Sequence, residues 1–352
     1  MKKTIVLLGA GAMIPFGGPT TQELTRRLLS NSICNKEFVP IFARTKETGN
    51  FEFLLSSIEF LLDWKLANEG HESYSTNPYL LLEPKYLYQF DSIEELWEIY
   101  CEAINDIIER VKEYDHYTHP FSDKLDSLSE FLIDKKQTNN LKIYTLNYDR
   151  LIPRLAKKKG IFFYEGFNDV QYEYDLNKFN TNPYTFFNLH GSIYTNYVSG
   201  GIVKVLDDPI KLEHRYNIRG GNPGENKVFL PIIAGYSKSQ RVMSEPFIMG
   251  IAAFMNDCNT CNRLLIVGYS FGDPYINTIL KRYIRFDSTE IIIVDSFQGE
   301  QSDERLRAIP YKSFGISGAS FIGDGSLLYL DKNPQIKLYI KGFEQYIIDN
   351  LQ

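Results

Sequence analysis

Two periodicities alternate along the chain. Five short runs, Thr4–Leu8, Lys142–Leu146, Thr185–Leu189, Arg263–Val267 and Glu290–Val294, are apolar with little alternation. Such runs predict strands buried on both faces, as in a parallel sheet. Ile161–Tyr164 and Val228–Ile233 carry a similar strand signal. Helical spacing separates them. Pro19, Thr20 and Thr21 open a helix running to about Leu29. Ile93, Leu96, Trp97, Tyr100, Ile104, Ile107, Ile108 and Val111 make one apolar stripe, with Ser92 and Glu95 as a capping box. Phe51–Leu66 and Leu125–Ile133 also read as helices. Further helices are predicted over Glu245–Asn256, capped by Ser244, and over Pro274–Arg285, capped by Asp273 with Pro274 at the first helical position. A last helix is predicted over Pro334–Asn350.

Strands alternating with helices predict an α/β fold. The expectation is a Rossmann-like parallel sheet with helices on both faces, plus a helical insertion. The chain reads as a single domain over 1–352, with the insertion at 50–135. Trp97 and Tyr100 lie on the insertion's apolar stripe and should fill its core. Tyr79, Tyr86 and Tyr88 fall in irregular sequence and are candidates for intermolecular contact. Asp207–Asn226, rich in Gly, Pro and charge, reads as a surface loop.

Composition adds exclusions. At 352 residues, 43% hydrophobic and 23% charged, the chain can bury a large core. A net charge of −6 argues against nucleic-acid binding through bulk electrostatics. Four cysteines, Cys34, Cys101, Cys258 and Cys261, make no disulfide framework at this length. Cys258 and Cys261 form a single CxxC pair, so no zinc site is expected. The apolar run at Ile5–Leu8 is short and enters a glycine turn, which reads as a first strand and not as a leader peptide. No run approaches the ~18 apolar residues of a membrane span. The expected setting is a reducing cytoplasm.

Chemistry-bearing residues gather just after the predicted strands, where open α/β sheets bind ligands. Gly9, Ala10 and Gly11 follow the first strand and precede a helix, an arrangement suited to a pyrophosphate. Position 14 is Ile14, so the third glycine of a full dinucleotide fingerprint is missing. Asn147 and Asp149 follow the second strand. His190, in Leu189-His190-Gly191-Ser192, follows the third and could serve as a base near neutral pH. Gly268, Tyr269 and Ser270 lead into the Asp273-capped helix. Asp295 ends another strand, where a carboxylate can accept from ribose hydroxyls.

The order of these segments resembles the NAD-contacting motifs of the sirtuin family. Gly9-Ala10-Gly11 with Gly17-Gly18-Pro19 is similar to its first loop. Thr145-Leu146-Asn147-Tyr148-Asp149 is similar to its TQNxD, His190-Gly191-Ser192 matches its HGS, and Gly268-Tyr269-Ser270 resembles its glycine–any–serine. The chain departs from the deacylases in its lone CxxC pair, its helical insertion, and Thr20, Thr21 and Gln22 where an arginine is expected. These departures look like the bacterial sirtuin-like NADases of antiphage defence, such as the sirtuin-like partner of HerA-type ATPases.

The resemblance implies an NAD+ glycohydrolase that releases ADP-ribose and nicotinamide, acting as an abortive-infection effector. It implies Asn147 and His190 as catalytic residues. NAD+, as substrate, would be bound by Gly9, Ala10, Gly11, Pro19, Thr20, Asp149, Gly268, Tyr269, Ser270 and Asp295. It further implies a homo-oligomer with a partner ATPase, helicase or phage-sensing protein. Two other functions fit the same motifs: an NAD-dependent protein deacylase, and a non-catalytic sensor of NAD or ADP-ribose.

Overall fold

A computed structural model of the chain describes residues 2–30, 40–68, 90, 92–116, 122–167, 174–198, 201–204, 208–209, 211, 232–234, 242–243, 246–296, 302–323 and 325–351. Its centre is an eight-stranded sheet. The strands are β1 (Lys2–Leu8), β2 (Asn139–Thr145), β3 (Tyr184–Asn188), β6 (Arg263–Val267), β7 (Glu290–Val294), β10 (Asn333–Tyr339), β9 (Leu327–Leu330) and β8 (Phe321–Ile322). The small hairpin of β4 (Thr195–Val198) and β5 (Gly201–Lys204) stands apart. The sheet order is β3-β2-β1-β6-β7-β10-β9-β8. The first six strands pair in parallel. Renumbered along the chain, they give 3-2-1-4-5-6, the doubly wound Rossmann order. Its switch point lies between β1 and β6, where connections leave toward opposite edges.

Successive residues of each central strand enter opposite cores, which is why the strands read as apolar runs. Val6, Leu8, Ile143, Leu265 and Val267 join one core. Ile5, Leu7, Tyr144, Leu264 and Ile266 join the other. The first core is built with α1 (Thr21–Ser30), α2 (Pro40–Thr48), α3 (Phe51–Asn68), α4 (Ile93–His116), α5 (Ser122–Thr138) and α6 (Leu151–Lys158). The opposite core is built with α7 (Leu176–Thr181), α8 (Phe247–Thr260), α9 (Pro274–Tyr283) and α10 (Ser302–Phe314). A last helix, α11 (Gly342–Leu351), returns to the first face through Phe343, Tyr346 and Ile347. The fold is therefore α/β with helices on both faces.

The described residues of the interval 50–135 are helical apart from Asn50, Phe90 and Ser92, and the helices share the first core with the sheet. Trp97 and Tyr100 are buried on the stripe as expected. Ser92 Oγ accepts from the Glu95 amide at 3.1 Å, fixing the start of α4. On the other face, Asp257 of α8 is fully buried. It meets the Tyr144 hydroxyl and the ammonium groups of Lys3 and Lys142, fastening α8 to β1 and β2. Burial lowers the Lys142 pKa, and Asp257 opposes that shift.

Four expectations need correction. Pro334–Asn350 is strand β10 followed by α11. Ile336 and Leu338 alternate into the opposite core, and Gly342 at φ 80° turns the backbone where α11 starts. Ile161–Tyr164 contributes only an isolated bridge from Tyr164 to Thr185, outside any named strand. The helix predicted over Glu245–Asn256 runs instead over Phe247–Thr260 behind Pro246, which supplies no side-chain cap. Finally, the edge strands β8 and β9 are antiparallel and were not foreseen.

Of Val228–Ile233, the bridge Gly191–Ile232 is described and residues 228–231 lie outside the described residues. Ser244, Glu245, Tyr79, Tyr86, Tyr88, Cys34 and most of Asp207–Asn226 also lie outside them. No helix among the described residues is long and apolar enough to cross a membrane.

Candidate functional site

At the switch point, the loops after β1 and β6 stack backbone on backbone. The Gly9 amide donates to the Val267 carbonyl at 2.9 Å, and the Gly11 amide to the Gly268 carbonyl at 3.0 Å. A Cβ on Gly9 would lie 2.5 Å from the Gly268 oxygen. One on Gly268, whose φ is 57°, would lie 2.0 Å from the Ala12 nitrogen. The glycines are thus demanded by contact between the two loops. The sequence reading assigned Gly9 and Gly11 to a turn and to approach of a ligand, and did not foresee the contact between the loops.

Around this contact opens a cavity of about 710 Å³, within the range of small-molecule sites. All twelve residues named from sequence line it: Gly9, Ala10, Gly11, Pro19, Thr20, Asn147, Asp149, His190, Gly268, Tyr269, Ser270 and Asp295. Among the described lining residues the basic side chain is Lys341, against the carboxylates Glu52, Asp149, Asp273, Asp295 and Glu344. A pyrophosphate here would depend on backbone amides and the start of α1 more than on ion pairs. Thr20 caps that helix, its Oγ1 accepting from the Glu23 amide at 3.0 Å.

The strand-end turns are tightly fixed. Asn147 Nδ2 donates to the Gly9 carbonyl at 3.1 Å, joining the loops after β1 and β2. Asn188, a residue to which the motif reading gave no role, donates Nδ2 to the carbonyls of Asn147 and Asp149, both at 2.9 Å. Ser192 Oγ donates to the Tyr148 carbonyl at 2.9 Å, and Gly191 turns at φ 77°. The His-Gly-Ser segment therefore also clamps the neighbouring turn. Asp295 Oδ1 accepts from the Ser296 amide at 2.7 Å.

His190 is 6% exposed, and its Nε2 lies 3.2 Å from Asp273 Oδ2. Asp273 was expected as a helix cap, and it is one: Oδ1 accepts from the Tyr275 and Ile276 amides at 2.9 and 3.1 Å. Its second oxygen is the feature that sequence reasoning missed. The spacing of the two residues along the chain gives no sign of the contact.

Helices α3 and α4 form one wall. Val111 and Tyr114 of α4 line the cavity with Asn50, Phe51 and Glu52 at the start of α3. Arg110 donates to Glu23 at 2.6 Å and to the Gly17 carbonyl at 3.1 Å, holding the glycine loop. Asp115 accepts from the Arg150 amide at 3.1 Å.

Tyr114 also interacts with Asp149. Burial, with the Asp115 carboxylate nearby, raises the Asp149 carboxyl pKa from 3.8 to about 7. The Tyr114 hydroxyl and the Leu151 amide oppose that rise. The folded protein then holds this proton more tightly than the unfolded chain does. The resulting stability is complete below about pH 4 and is lost as pH rises through about 7. Asp149→Asn, neutral at every pH, should remove this slope. Urea unfolding across that window should show the wild type losing stability relative to the variant. A pH-independent difference would contradict the assignment.

A model of the SIR2-like domain matches residues 141–313. The matched stretch contains Asn147, Asp149, His190, Gly268, Tyr269, Ser270 and Asp295. The glycine loop after β1 and helices α1–α4 precede it. The match supports a sirtuin-like family. SIR2-like domains are NAD-dependent enzymes, so it also supports NAD-related activity. No curated protein matches the chain.

Proposed function

We propose that the chain is an NAD+ glycohydrolase. The observation that carries the reading is the convergence of Asn147, Asp149 and His190 on the same cavity as Asp295 and the glycine loop. An extended dinucleotide laid across the switch point would meet Asp295 at its adenosine ribose and the glycine loop at its pyrophosphate. Its nicotinamide ribose would lie near Asn147 and His190, and its carboxamide near Asp149.

A water oxygen bonds to the ribosyl C1′ as the C1′–nitrogen bond breaks. The electron pair leaves with the pyridine nitrogen and cancels its positive charge. The proton of the attacking water passes to His190 and then to solvent. The products are ADP-ribose, nicotinamide and a proton. Asn147, already anchored to Gly9, orients the ribose hydroxyl or the water.

Incubating the protein with NAD+, with and without an acetyl-lysine peptide, tests this. Equal amounts of nicotinamide and ADP-ribose, independent of peptide, are expected. Nicotinamide release that requires the peptide would make the protein a deacylase. Binding without release would make it a sensor. Hydrolysis is favoured because it needs no second substrate beyond water.

The finer biological reading is an antiphage effector that depletes NAD+ by abortive infection. Its restraint comes from homo-oligomerisation and a partner ATPase or helicase. Light scattering coupled to size exclusion should show an assembly larger than one chain. A monomer fully active on NAD+ without a partner would overturn that restraint.

A further inference from the structure

We propose that Asp273 is a positioning residue for His190: it fixes which imidazole nitrogen carries the proton and faces the charge formed when the ring accepts another. The proposal deepens the hydrolase reading, and its activity arm rests on that reading.

The geometry leaves Asp273 little freedom. One carboxylate oxygen is committed to the first turn of α9 through the Tyr275 and Ile276 amides. This aims the other at His190 Nε2, 3.2 Å away. Side-chain exposure is 7% for His190 and 12% for Asp273, so water screens the pair poorly. Both residues line the cavity.

The turn carrying Asp273 is itself braced. Phe271 adopts φ 56°, unusual for a residue with a side chain. Asn277 Nδ2 donates to the Phe271 carbonyl at 2.9 Å. The Tyr269 hydroxyl lies 3.0 Å from the Asp273 carbonyl and 2.9 Å from Asn277 Oδ1. A strained backbone held from two sides places the carboxylate, which a cap alone would not require.

A carboxylate can only accept. A neutral imidazole facing it therefore donates Nε2–H and keeps its lone pair on Nδ1. When Nδ1 takes a proton, the positive ring already faces a negative partner. A third group orienting a base in this way recurs in enzymes that activate a nucleophile.

The competing explanation is that Asp273 only caps α9. Asp273→Asn separates the two, because asparagine caps a helix about as well as aspartate. Its amide can donate to Nε2 and so reverse the ring's proton. The first measurement is the nitrogen-15 spectrum of the five histidines, with His190→Gln identifying the His190 signal. Wild type should show Nε2–H, and Asp273→Asn should shift to Nδ1–H. The second is steady-state NAD+ cleavage: kcat should fall by about 10²-fold or more, with KM and the thermal midpoint little changed.

Unchanged ring protonation in Asp273→Asn would overturn the proposal, as would an unchanged kcat. Asp273→Ala, which removes cap and partner together, should lower both kcat and the thermal midpoint. If wild-type protein does not cleave NAD+, the hydrolase reading fails and the spectrum alone decides the pairing.

Discussion

His190→Ala should lower NAD+ cleavage by about 10²- to 10⁴-fold, the range that a positioned base supplies. The fold should survive. The backbone carbonyl of His190, which accepts from the Ile233 amide, is untouched by the change. The side chain borders an open cavity, so its removal leaves no sealed void in either core. Asp273 keeps both amide hydrogen bonds at the start of α9. Asn147→Ala should abolish cleavage too, with an added stability cost because its Nδ2 ties the β2 turn to the Gly9 carbonyl. Nicotinamide release and circular dichroism on the purified variants check both statements. Turnover near wild type from either variant would remove that residue from the catalytic set.

Gly268→Ala should be strongly destabilising. The added carbon would lie 2.0 Å from the Ala12 nitrogen and 2.3 Å from the Gly11 carbonyl carbon, both rigid backbone atoms. The residue also turns at φ 57°, which disfavours any Cβ by roughly 1–2 kcal/mol. Overpacking adds about 1–3 kcal/mol. A loss of about 2–5 kcal/mol follows, enough to threaten soluble expression. Gly160→Ala is the control: its φ is 72°, but nothing lies within 4 Å of the added carbon. It should show only the backbone cost. Thermal unfolding compares the two. A Gly268→Ala midpoint within about 2 °C of the control would mean that the loops separate freely.

The central sheet was legible in sequence because burial on both faces leaves no room for polar alternation. β1, β2, β3, β6 and β7 each show this, from Ile5 entering one core to Val6 entering the other. The strand-end chemistry was legible for a related reason: in such a sheet the ends at the switch point face one crevice. Residues that line the cavity were therefore nameable before any contact was known.

Elements beyond β7 were harder to read. In β10, exposed Pro334 and Gln335 precede the alternating buried Ile336 and Leu338. That short alternation runs straight into α11 and blends into one helical pattern. Helix α6 begins two residues after Asp149, and its eight residues give too short a pattern to have been predicted as a helix. Asp273 shows the deeper limit. Its role as a cap depends on neighbours two and three residues away and could be read locally. Its contact with His190 depends on two strand ends meeting in space.

Helix α4 lies outside the stretch that the SIR2-like domain matches, yet it lines the pocket with Val111 and Tyr114. Arg110 grips the turn at Gly17, and Tyr114 reaches Asp149. A sliding or tilting of this one helix would displace the glycine loop and the Asp149 turn together. Ligand preference should therefore travel with α4. Grafting a foreign helix onto the unchanged strand motifs would retune what the crevice accepts.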